Sequence, residues 1–228
     1  MKIEGPWDTE QYSALARELL DLRMLWLPEN SRSVPPPKAI WFRHDVEVSC
    51  LAAMEMADLE HALGIRASYF FCVESPFLKG QPEALDRAIN HIAAMGHGCH
   101  PHPILERGEE IAMAQTKARD SADRFGLDDR IMTLHAPNHS DVAPLAQLDR
   151  CEIVYRMVIE ESFAYHSDSM HRFRWGWPDA IDPRPMQLLT HPIWWSDGRK
   201  LGQCVEEAAG RGVSYGTLQQ FLPKLLVS

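Results

Sequence analysis

Short apolar runs alternate with helix-patterned segments along most of the chain, and this alternation restricts the fold more than any other feature. The runs "AIWFRH" (39–44), "RASYFFCV" (66–73), "RIMTLHA" (130–136), "ESFAYHSD" (161–168) and "MQLLTHPIWW" (186–195) have strand-like length and residue content. A histidine-rich strand follows Gly96. Helical patterns at 49–63, 82–95 and 109–125 stop at Gly64, Gly96 and Gly126, where glycine commonly ends a helix. Strand, helix, strand order predicts a largely parallel sheet with crossover helices. With so many units in 228 residues, a small or distorted α/β barrel is the expected architecture. An open, doubly wound sheet is the alternative. Residues 8–26 carry a further helical pattern (Tyr12, Leu15, Leu19, Leu22, Leu25) after a cap at Asp8 or Thr9. "SRSVPPPK" breaks it, because consecutive prolines cannot continue a helix. Residues 1–37 therefore read as a helical extension of one domain spanning 1–228.

The formal net charge of −9 argues against binding a nucleic-acid backbone, which calls for a basic face. The acidic start "MKIEGPWDTEQYSALARELL" lacks the apolar core of a signal peptide. No window approaches the roughly 20 apolar residues of a membrane helix. Cys50, Cys72, Cys99, Cys151 and Cys204 form no CxxC pair, which fits reduced thiols and a cytoplasmic location. Only Cys99 stands among other potential ligands, and a small buried residue is the plain reading of it.

The strand ends carry the chemistry. Asp45 and Glu47, His100 and His102, His135, Asp168 and His191 all fall at or just after the ends of different predicted strands. Parallel α/β folds bind ligands beyond those ends. Asp45 and Glu47, at i and i+2, point to one face of an extended chain. Two such carboxylates repel unless a cation neutralises them, and a metal leaves one free as a base. The plainer reading is a solvated pair beside Arg43. His100 and His102 also share a face, so either can be a ligand, whereas His97 suits a packing or hydrogen-bonding role. Glu106 reaches the same metal if "PILE" turns helically. Mixed imidazole and carboxylate donors suit zinc, with cobalt, nickel and iron less selectively served. His135 in "LHAPNHS" and His191 in "LLTHPIWW" end apolar strands, where a histidine can pass a proton. Trp194 offers an apolar wall for a sugar face. "YHSDSMHRFRWGWP" (165–178) is polar and aromatic, in the manner of a substrate loop. Arg43, Asp168, Trp175 and Trp194 are the candidate substrate contacts.

In this order, "RHDVE", "ASYFF", "GHGCHPH", "YHSDS" with "RWGWP", and "LLTHPIWW" resemble the polysaccharide deacetylase superfamily of carbohydrate esterases, in a branch with an "RHDVD" opening. The similarity covers roughly residues 39–197. It implies a distorted, incomplete (β/α) barrel and a metal-dependent amide or ester hydrolase. It further implies Asp45 as general base, Glu47 and His102 as metal ligands, and His191 as general acid. The family's second histidine ligand falls on Glu106, and its base-steadying arginine on the catalytic position His135. Glutamate for aspartate at 47, glutamate for histidine at 106 and histidine for arginine at 135 are departures. The expected activity is removal of an acyl group from an N-acylated amino sugar or related small amide. A non-catalytic relative that binds carbohydrate or a partner protein is the alternative. A phosphohydrolase built on His44–Asp45 is less favoured, since such a dipeptide generally sits on a helix.

Overall fold

The computed structural model describes residues 7–28, 34–106, 108–135, 152–153, 163–169, 173, 176–196 and 199–221. The first helix, α1 (Thr9–Leu20), begins at a capping box in which Asp8 accepts the Gln11 amide and Gln11 accepts that of Asp8. It stops short of Leu22 and Leu25, which the periodicity placed on its buried face and which are exposed. Arg23 explains the early stop. Its buried guanidinium donates to the carbonyls of Arg184, Asp179 and Asp182 at 3.0, 2.8 and 2.7 Å. This anchors the chain across the sheet, and the next residues form β1 (Met24–Leu25) instead.

The order then runs β2 (Ala39–Val46), α2 (Cys50–Ala62), β3 (Ser68–Phe71), α3 (Pro82–Ala94), β4 (Gly98–Pro101) and α4 (Ile111–Phe125). It continues with β5 (Ile131–Met132), β6 (Glu152–Ile153), β7 (Ala164–Ser167) and β8 (Met186–Thr190). A 3₁₀ turn (Pro192–Trp195), α5 (Arg199–Gly210) and α6 (Tyr215–Phe221) complete it. The main sheet is six-stranded and parallel, in the order β4-β3-β2-β8-β7, with β1 beside the start of β2. β5 and β6 pair with each other, also in parallel. Backbone bonds from Thr133 to Pro101 and from His135 to Pro103 attach the β5 chain to the chain leaving β4. The central β2 is buried at every residue, as a parallel strand covered on both faces must be.

The two faces of the sheet are covered differently. On one, Ile40, Phe42, Val46, Tyr69 and Phe71 pack with residues of α1, α2 and α3. On the other, Trp41, Phe70, Ile131 and Phe163 pack with one another and with Trp26 and Leu27, none of them helical. Strand alternation carries Arg43, Asp45 and Glu47 onto the face of Trp41 and turns His44 toward the helices. No helix among the described residues is long and apolar enough to cross a membrane.

Candidate metal centre

The carboxylate of Asp45 is gripped from its own strand. Arg43 donates from Nε to Asp45 Oδ1 at 2.9 Å and from Nη2 to Oδ2 at 2.7 Å. Both residues are nearly sealed from solvent, and the guanidinium also lies over the Phe70 ring. A two-pronged contact of this kind fixes orientation as well as charge. Arg43 was expected to touch substrate. Its burial and its bonds to Asp45 correct that expectation and make it the group that orients the carboxylate.

Glu47 lies one step further along the same face, where three imidazoles converge on it. His102 Nε2 is 3.1 Å from Glu47 Oε1, and His135 Nδ1 is 2.8 Å from the same oxygen. His191 Nε2 stands 3.9 Å from Oε2. Burial pushes the Glu47 carboxyl up, but His135, His102 and His191 together outweigh it and hold the group well below the usual range. Burial likewise opposes a charge on His135, and the neighbouring Glu47 carboxylate overrides it and raises the imidazole.

The two histidines left open on β4 are now distinguished. His100 Nδ1 is bonded to the Asp128 carbonyl at 3.0 Å, and its ring packs on Phe70. The ring folds back over Gly98, where an added Cβ would come within 2.6 Å of Nε2, so that position has no room for a side chain. His102 instead has Nδ1 bonded to Thr133 Oγ1 at 2.6 Å, which leaves Nε2 for Glu47. Such an outer partner fixes which ring nitrogen is offered to a metal. His97 links the Ala67 amide to the Ala57 carbonyl and belongs to the packing of the opposite face.

His191, just beyond β8, is oriented by Asp168, just beyond β7. Asp168 accepts from His191 Nδ1 at 2.6 Å, from the His191 amide at 2.9 Å and from Trp195 Nε1 at 2.7 Å. Burial opposes the imidazolium, yet Asp168, aided by Glu47 and Asp45, raises His191 to about 9. Asp168 is fully buried with these donors around it, so it orients His191 where a substrate contact had been expected. Trp194 is buried and joins Asp45, Glu47, Ser49 and His191 in lining a small cleft of about 10 Å³. Trp175 lies outside the described residues.

Among the described residues, two sets of side chains have ligand atoms within 4.8 Å of one another: Glu47 with His102 and His135, and Asp45 with Glu47 and His191. Glu106 joins neither. It is exposed, because the chain after His102 runs extended, with Ile104 bridging His135, and does not turn helically. In its place the β5 chain brings His135, expected in a catalytic role, beside Glu47 among the groups that could hold an ion. The first set, one carboxylate and two imidazoles, fits a zinc-type ion in donor chemistry and number, and it leaves coordination positions open.

The sequence pattern missed the outer residues Thr133 and Asp168 in their orienting roles, and a second buried cluster around Glu60. Glu60 accepts from Tyr12 OH at 2.5 Å, from Tyr69 OH at 2.6 Å and from His44 Nε2 at 2.9 Å. A signal for it existed. Ala53, Met56, Ala57 and Glu60 form one buried helical stripe, and a carboxylate on such a stripe demands partners. Searches against protein-family models and against curated proteins found no match for this chain.

Proposed function

We propose that the chain is a metal-dependent hydrolase of the polysaccharide deacetylase type, which removes an acyl group from an N-acylated amino sugar or related small amide. One observation carries this reading. A carboxylate and a histidine, each oriented by its own buried partner, flank a set of three ligands around one small pocket. Independent orientation of a base and an acid beside a metal set is what hydrolysis of an amide requires. A distorted, incomplete barrel belongs to the same reading. The strand face bearing the site is covered by side chains of the strands and of the 26–27 segment, as in a sheet that curls on itself.

Glu47, His102 and His135 would hold the ion, zinc by donor preference with cobalt or nickel as substitutes. When bound, such an ion polarises an acyl carbonyl and makes a bound water more acidic. Asp45, steadied by Arg43, takes the proton of the attacking water. His191 is protonated at neutral pH because Asp168 raises it, and it delivers that proton to the departing amine. Trp194 bounds the small cleft between Asp45 and His191. The resemblance places a base-steadying arginine at position 135. Here Arg43 steadies Asp45 and His135 is freed to act as a ligand.

The test is acid release from N-acetylated amino sugars by metal-loaded protein, with Asp45→Asn as the comparison. Turnover in wild type, lost in Asp45→Asn with metal content unchanged, is the expected result. Equal ligand binding by both proteins with no turnover in either would leave a carbohydrate-binding relative as the function.

A further inference from the structure

The Glu60 cluster lies directly behind the site, and its bonds fall at telling places. His44 and Thr190 are register partners on β2 and β8. Their side chains meet at 2.7 Å, from His44 Nδ1 to Thr190 Oγ1. His44 immediately precedes Asp45, and Thr190 immediately precedes His191. The cross-link therefore sits at the last pair shared by β2 and β8, one residue before Asp45, which is still paired with β3, and His191, which follows β8. Glu60 anchors it from α2. An ionised carboxylate only accepts, so His44 Nε2 must carry the proton it shares with Glu60 at 2.9 Å. Nδ1 shares the second bond with the Thr190 hydroxyl, which donates to a neutral imidazole and accepts from a charged one. Tyr12 and Tyr69 donate to the two oxygens of Glu60, and the whole relay is fully buried.

We infer that Glu60, His44 and Thr190 form a positioning relay that fixes the separation and orientation of Asp45 and His191 from behind the sheet. Neither Glu60 nor Thr190 belongs to the set that would hold the metal. Their role is to prevent β2 and β8 from sliding or splaying at their last shared pair, beyond which no ladder joins these two strands. The assignment of Asp45 and His191 as base and acid rests on the function proposed above. The relay itself makes a claim about geometry that needs neither turnover nor metal.

The probe is the imidazole proton of His191 that is shared with Asp168 across 2.6 Å, observed at low field by proton NMR of the metal-free full chain. Glu60→Gln should shift or broaden that resonance, although Glu60 lies on another element and touches neither partner. Tyr12→Phe removes one donor to Glu60 but spares the His44–Thr190 link, so it should lower stability and leave the resonance in place. If Glu60→Gln does not fold, Thr190→Val should displace the resonance and Thr190→Ser should restore it. A folded Glu60→Gln protein with the wild-type resonance would overturn the relay. So would a Thr190→Ser protein as perturbed as Thr190→Val. Absence of hydrolytic activity in wild type with these shifts intact would overturn the proposed chemistry and leave the relay standing.

Discussion

Two carboxylates stand on opposite sides of β2, and the protein treats them in opposite ways. Glu60 is sealed, with two tyrosine hydroxyls and one imidazole distributed over its two oxygens. Glu47 retains a partly exposed side chain at a pocket, with two imidazoles crowded onto one oxygen and a third beyond the other. Both are held below the usual carboxylate range against the effect of burial. The donors differ, and so does the consequence. Tyrosine hydroxyls at this depth are pushed up by burial and by Glu60, and stay neutral donors. Imidazoles can give up their protons to become metal ligands, so the Glu47 cluster can exchange its hydrogen bonds for an ion. Saturation distinguishes the Glu60 cluster, and exchangeable donors the Glu47 cluster.

The comparison breaks first at Glu60. Glu60→Ala leaves two hydroxyls and His44 without their buried acceptor, and should cost about 3–5 kcal/mol in urea unfolding. Glu47→Gln, beside the cleft, should cost clearly less in the same measurement on metal-free protein. An equal loss would remove the distinction between the clusters. Thr133→Val should weaken metal affinity about 10–100-fold by releasing His102 Nδ1, and should cost about 1–3 kcal/mol by leaving that buried nitrogen unpartnered. Calorimetric titration with zinc reads the affinity directly.

Acid titration sharpens the same contrast. Glu60 is depressed in the folded state, so the stability it contributes is present above its ordinary value of 4.5 and is lost as pH falls through its lower folded value. Denaturant midpoints measured below pH 4.5 should therefore fall more steeply for wild type than for Glu60→Gln. Outside both clusters, Lys200→Ala removes an ion pair to Glu55 that links α5 with α2. It should cost about 1 kcal/mol or less and leave metal binding unaltered.

Strand and helix order was legible because each element carries its period in a few adjacent residues. The expected helix at 82–95 is Pro82–Ala94, and the expected strand at 39–44 is Ala39–Val46. The pattern failed at Leu22 and Leu25, where the tertiary anchor of Arg23 overrides an apolar periodicity. "MQLLTHPIWW" divides at His191, since Pro192 opens a 3₁₀ turn that brings Trp195 onto Asp168. Within the site, the meeting of Asp45, Glu47 and His191 was legible from strand ends and two-residue alternation, which left His100 and His102 undistinguished; only the resemblance favoured His102. Glu106 was misplaced because its distance from His102 depends on whether the chain turns, and the bridge between Ile104 and His135 keeps it extended. Arg43 and Asp168 were read as substrate contacts because their charge is visible in sequence. The burial of both, and the partners of Asp168 on the chain after β8, depend on neighbouring strands, whereas Arg43 bonds Asp45 on its own strand.

The central claim is that Glu47, His102 and His135 form one metal site, and elemental analysis of purified protein after dialysis against a weak chelator tests it most directly. The account predicts about one zinc, cobalt or nickel per chain in wild type and in Glu106→Ala, lost in His135→Ala and in Glu47→Gln. No metal in wild type and none taken up on addition would contradict it. Metal lost in Glu106→Ala and kept in His135→Ala would do the same.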